Sequence, residues 1–174
     1  DGEKMSKSLG NILYIRDLLE NYDGEVLRLA LLSGHYRQPL NFTEDTLNQS
    51  KSNLKRLYRS LELVDNIEID KKNIFPSDEV VSSLCNDLNT SEAFAGINGI
   101  AKQIISSTDE KEKKQLKIKL ISSCKIFGIL QENPKKWLNK DKIKGDFDVK
   151  LIEKLINDRR ISRIDKDFDK ADQI

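Results

Sequence analysis

The chain holds 174 residues, enough for one ordinary domain or two small ones with a real core. Aromatics at 6%, charged residues at 34%, eight Gly and three Pro argue for a helical protein and against a sheet sandwich. The net charge is +1, no apolar run approaches the roughly 18 residues of a membrane span, and the polar, charged opening residues read as no signal peptide.

The first informative stretch is Lys4-Met5-Ser6-Lys7-Ser8-Leu9-Gly10-Asn11. Two lysines three apart, with hydroxyls beside them, make a donor-rich loop suited to a polyphosphate. An ammonium about 4 Å from a phosphate oxygen is worth roughly 4 kcal/mol at an effective dielectric near 20, before desolvation. Lysine is a point charge on a long stem and can follow a moving phosphate, where the fixed fork of arginine is less forgiving. Gly10 permits a sharp turn, and Met5 reads as an anchor for the loop rather than a ligand contact. A lone K-x-x-K would mean no more than a solvated basic loop.

Ile12 to Tyr22 carries Ile15, Leu18, Leu19 and Tyr22 at helical spacing, with Gly24 as its stop. Glu25 to His35 reads as a second helix, ended by Pro39. Thr43 caps a long helix to about Asn66, roughly 36 Å long, with Glu44 and Asp45 in its first turn and an apolar stripe at Leu47, Leu54, Leu57 or Tyr58, Leu61 and Val64. On its other face Lys51, Lys55 and Arg59 fall at i, i+4 and i+8 with Arg56 adjacent and no acid between Lys51 and Arg59. Those four cations read either as a solvated face or as a track for a phosphate backbone.

Residues 67–76 lose the helical period and read as a linker, which divides the chain into residues 1–66 and 77–174. Ser77 begins a short helix with Val80, Val81, Leu84 and Leu88. Thr90 or Ser91 caps the next, which is expected to bury Phe94, Ile97, Ala101, Ile104 and Ile105, and a third runs from after Thr108 to Phe127 with Gly128 as its stop. Pro134, Trp137 and Gly145 punctuate a Lys-rich connection. A last helix opens at Asp148, with Val149, Ile152, Leu155, Ile156 and Ile164 expected to face inward.

Cys85 and Cys124 have no C-x-x-C or Cys/His spacing and read as reduced, packed thiols, with neither metal site nor disulfide. The near-neutral total hides segregation. Eleven lysines face only Glu112, Glu132 and Asp141 between 111 and 144, while Glu62 to Glu92 holds eight acids against Lys71 and Lys72. His35, in Ser33-Gly34-His35-Tyr36-Arg37, reads as a packing or hydrogen-bonding residue.

The Lys4–Asn11 stretch resembles the KMSKS signature of class I aminoacyl-tRNA synthetases. Leu31-Leu32-Ser33-Gly34-His35-Tyr36-Arg37, Leu40-Asn41-Phe42, Leu47 and Asn53-Leu54-Lys55-Arg56-Leu57-Tyr58 are similar to the cysteinyl-tRNA synthetases among them. Asp87-Leu88-Asn89-Thr90-Ser91-Glu92-Ala93 resembles that family's N-T-P-E-A stretch, with Ser91 where proline is usual and Cys85 and Asn86 where acids are common. Asp158-Arg159-Arg160 and Lys166 to Asp172 are similar to its terminal helix.

The resemblance implies an all-α piece from the KMSKS loop onward. The loop and stem-contact-like helices (1–66) would join, through the 67–76 linker, a helical-bundle anticodon-binding domain (77–174) that stops short. It also implies a parent enzyme that activates L-cysteine with ATP and Mg2+ and charges the tRNA for cysteine. Lys7 and then Lys4 would contact the ATP phosphates beside Ser6 and Ser8, and Lys51, Lys55, Arg56, Arg59, Arg159 and Arg160 would contact tRNA. The family's Zn2+ ligands and its H-I-G-H motif would lie outside this sequence, so the piece alone is expected to be inactive. A monomeric, cytoplasmic protein with no membrane partner is the matching expectation. Two alternatives remain: a non-catalytic helical RNA-binding module, and a methionine-type synthetase piece, against which S-G-H-Y-R and R-L-Y argue.

Overall fold

A computed structural model describes residues 5–6, 8–10, 12–70, 75–143, 149–165 and 167–173, without the side chains of 141–143, 149–153, 170–171 and 173. Every regular element among the described residues is a helix, as the all-α reading requires. Two compact units divide the chain, 1–138 and 139–174.

The first unit opens with a single turn, α1 (Ile15–Leu18), shorter than the expected 12–22 helix. Ile15 and Leu19 stay half exposed, so little burial supports a longer element. In α2 (Gly24–Leu32), Gly24 is the first residue rather than a stop, because the Asp23 carboxylate accepts from the Glu25 N–H and starts a new helix there. The long helix α3 (Glu44–Glu62) is capped by Thr43, whose Oγ1 accepts from the Thr46 N–H. Its 19 residues span about 28 Å, about a turn and a half less than expected. Leu47, Leu54, Leu57, Tyr58, Leu61 and Val64 are all buried, so the apolar stripe lies where the spacing places it.

The helices α4 (Asp78–Cys85), α5 (Thr90–Ser106) and α6 (Glu110–Ile126) follow, then α7 (Pro134–Ile143). Asn89 rather than Thr90 or Ser91 caps α5. Its Oδ1 accepts from the Glu92 N–H while its Nδ2 donates to the Glu92 carboxylate, a reciprocal capping arrangement. The period places Ile105 inside, yet it is half exposed in the last turn of the helix, while Phe94, Ile97, Ala101 and Ile104 are buried. The Lys-rich connection is helical. Trp137, on α7, stacks on Tyr58 with ring centroids 4.4 Å apart and closes the core from that side.

One core joins the two sides of the segment read as a linker. Leu54, Leu57, Tyr58 and Val64 share it with Phe94, Ile97, Ile104, Leu120, Cys124 and Ile129. Ile67 is itself buried within it, and Lys117 Nζ donates to the carbonyls of Val64, Asp65 and Ile67 at 2.8, 3.2 and 2.8 Å, ending α3 against α6. The compact units therefore meet after Leu138, not at 67–76, and residues 71–74 lie outside the description.

The second unit holds α8 (Val149–Ile164) and α9 (Phe168–Gln173), which pack together. Ile156 and Ile164, expected inward, are 65% and 69% exposed, while Ser162 of the same helix is buried. Asp148, Gly145, and the side chains of Val149 and Ile152 fall outside the described residues.

Candidate nucleotide and nucleic-acid interface

Of the loop predicted to meet phosphates, Lys4 and Lys7 lie outside the described residues. Around them Ser6 Oγ and Ser8 Oγ are 3.2 Å apart, the Leu9 N–H donates to Ser6 Oγ at 3.3 Å, and Gly10 sits at φ 65°. A hydroxyl thus closes the turn, and Gly10 takes a backbone conformation that disfavours a side chain. Met5 is 42% exposed.

The four cations of α3 divide by depth: Lys51 and Lys55 are half-buried, Arg56 and Arg59 exposed. Arg56 Nη2 donates to the side-chain oxygens of Asn53 at 3.1 Å and Asn98 at 2.9 Å, which fixes the guanidinium between α3 and α5. Beside it lies a depression of about 450 Å³ lined by Asp45, Asn48, Gln49, Ser52, Asn53 and Arg56, none of them apolar. A smaller one of about 210 Å³ shares Gln49 and Asn53. In the second unit, Arg159 and Arg160 line a depression of about 610 Å³ on α8 with Arg163, Ile156 and Ile164. Arg163 was not singled out in the sequence, although it falls one turn beyond Arg159 and Arg160.

The S-G-H-Y-R stretch forms a clamp. Asp87, 50 residues on, accepts from Tyr36 Oη at 2.6 Å and from Arg37 Nε and Nη2 at 2.8 and 3.0 Å, with His35 Nε2 3.9 Å away. The Arg37 guanidinium, then the Tyr36 hydroxyl, holds the Asp87 carboxyl below its usual range, and the same carboxylate raises the Tyr36 phenol. Asp87 and Leu88 both have positive φ, 52° and 53°, a conformation costly for side-chain-bearing residues that the clamp holds in place. Thr90 and Ser91 donate to the carbonyls of Gly34 and Ser33, so the serine standing where proline is usual ties α5 to the end of α2. His35 plays the hydrogen-bonding part expected of it, accepting at Nδ1 from the Arg37 N–H. Sequence spacing carried no signal for Asp87 as the shared acceptor.

Cys124 is buried, and burial pushes its thiol up. Cys85 is exposed, contrary to its reading as packed, because α4 ends there and the core side of its last turn is taken by Ser83 and Leu84. Among the described residues no group of three or more His, Cys, Asp or Glu could hold a metal ion, and no helix is long and apolar enough to cross a membrane.

The family model described as "tRNA synthetases class I (C) catalytic domain" matches residues 1–52, which span the Ser6–Gly10 turn, α1, α2 and the start of α3. The chain is thus related to the class I tRNA synthetases. Within that class it is homologous along essentially its whole length to the cysteine–tRNA ligases.

The ligase of Parvibaculum lavamentivorans is 40% identical over 172 residues, 99% of this chain and 37% of that protein. That of Wolbachia pipientis wMel is 39% identical over 173 residues, 99% and 37%, and that of Rickettsia bellii 39% over 175 residues, 100% and 36%. The chain therefore spans little more than a third of the length of these relatives.

Proposed function

We propose that this chain supplies the phosphate-contacting loop and the RNA-contacting helices of an enzyme that activates cysteine with ATP and transfers it to the tRNA for cysteine. The observation that carries this reading is the identity of about 40% to cysteine–tRNA ligases over 99% of the chain, with the K-M-S-K-S stretch intact inside the matched catalytic segment.

In the reaction, a carboxylate oxygen of cysteine attacks the α-phosphorus of ATP in line, and the bond to the departing pyrophosphate breaks. Lys7 first, and Lys4 second, offset the charge that grows on the pyrophosphate, which requires positioning and electrostatics rather than covalent chemistry. Ser6 supports that role by closing the turn on the Leu9 N–H. The adenylate then passes its acyl group to the 3′ end of the tRNA, whose backbone would meet Lys51, Lys55, Arg56 and Arg59, and Arg159 and Arg160. The Mg2+ and Zn2+ of such enzymes find no ligand set among the described residues, and the steps assigned to this chain run through its lysines and hydroxyls.

The test is a chimera in which this chain replaces the matching stretch of the Parvibaculum lavamentivorans ligase. Cysteine-dependent pyrophosphate exchange should persist, and Lys7→Ala should lower it on the order of a hundredfold while leaving tRNA affinity within about twofold. Exchange untouched by Lys7→Ala removes the assignment. A chimera that binds tRNA but never forms adenylate favours a helical RNA-binding module instead.

A further inference from the structure

The end of α2, the first half of α3 and the start of α5 meet around the depression of about 210 Å³. Leu29 and Phe94, both buried, give it an apolar wall, and hydroxyls and carboxamides line the rest. Ser50 lines it at 5% exposure and makes no hydrogen bond among the described residues. A buried hydroxyl left unspent calls for a partner that the chain does not itself supply.

The other polar groups divide into acceptors and donors. Ser33, Thr46 and Ser91 give their hydroxyl protons to the carbonyls of Ala30, Asn41 and Ser33, so their oxygens are left to accept. Asn53 gives its oxygen to Arg56 and keeps its Nδ2 to donate. The Ser91 N–H, in the first turn of α5, has no acceptor among the described residues. Opposite helix ends also face each other here. Ser33 is the C-cap of α2, the negative end of that helix, and Ser91 lies at the positive end of α5. No side chain lining the depression carries a charge of its own.

We propose that this depression binds a free α-amino acid with a small aliphatic side chain. Its ammonium, with three N–H donors, meets the three spent hydroxyls, its carboxylate accepts from Ser50 Oγ, Asn53 Nδ2 and the Ser91 N–H, and its side chain lies on Leu29 and Phe94. A lone anion would leave the three acceptor oxygens unmatched, and a lone cation would leave the donors so. The volume is that of about seven water molecules, which suits a ligand of about eight non-hydrogen atoms such as valine. No residue of the site belongs to the phosphate-contacting loop, so it stands or falls apart from the adenylation reading.

The experiment is a titration of the 15N-labelled 174-residue chain, followed by NMR, with L-valine and three analogues. Isovalerate lacks the ammonium, isobutylamine lacks the carboxylate, and isovaleramide carries neither charge. Valine should shift the Ser91 N–H and Asn53 Nδ2 resonances to saturation with a Kd on the order of 1 mM, as befits so small a ligand, and each analogue should bind about tenfold more weakly. Ser50→Ala removes a hydroxyl that has no partner in the fold. It should weaken valine about fivefold and leave the melting temperature of the ligand-free chain within about 2 °C. Absence of a saturable shift at those two groups overturns the proposal, as does any analogue that matches valine. A Ser50→Ala variant that binds valine as tightly as wild type overturns it too.

Discussion

At Asp87 one exposed carboxylate serves two side chains from a segment 50 residues away while its own backbone sits at positive φ. Because its folded pKa lies below the unfolded value of 3.8, the stability it contributes is fully present above about pH 4 and is lost as pH falls through the lowered folded value. Asp87→Asn should therefore flatten the acid limb of a urea-midpoint against pH curve, and an unaltered limb would remove the clamp from the account. Lys117 acts differently. Burial holds its ammonium below the ordinary lysine range, yet three carbonyls depend on it. Lys117→Met should cost about 1–3 kcal/mol in urea denaturation, the penalty for buried acceptors left unpaired. Neither role could be read from the sequence: Lys117 is one of eleven lysines in its stretch, and Asp87 meets its donors only through the fold.

Among the helices, α3 was the most legible. Its cap, its acidic first turn and its apolar stripe are local patterns, and burying a leucine is worth about 1.5–3 kcal/mol, so the stripe commits the helix to one orientation. Thr43→Ala should lower stability by about 1 kcal/mol by thermal melt. The terminus of α6 was equally legible. Gly128 has φ 64°, and a Cβ there would lie 2.6 Å from Arg28 Nη1. Gly128→Ala should cost at least about 1–2 kcal/mol in thermal or urea denaturation, and a neutral substitution would mean that the backbone leaves this conformation as well as Arg28 moving aside. Helices whose apolar residues lacked a deep partner were misjudged. On α8, Ile156 and Ile164 follow a helical period yet are exposed, and a period reports a face without reporting what covers it.

At the scale of the whole molecule, the boundary expected at 67–76 came from a loss of period and an acidic, extended-looking stretch, which are local signals. Core sharing is not local. Tyr58 packs on Trp137, 79 residues on, and the buried Glu25 carboxylate accepts from Tyr58 Oη and from the N–H groups of Leu130 and Gln131. Residues 1–66 alone should therefore remain largely unfolded by circular dichroism, since Leu54, Leu57 and Tyr58 would lose their partners on α5 and α6. A cooperative melt of that piece would restore the linker reading. The same core equips the chain with its own gauge of folding. Cys85 lies in solvent, whereas Cys124 sits inside with its thiolate disfavoured, so a brief pulse of an alkylating reagent marks one thiol in folded molecules and both in unfolded ones. Mass spectrometry of the pulsed chain then counts the two populations adduct by adduct, with no dye, tag or engineered probe.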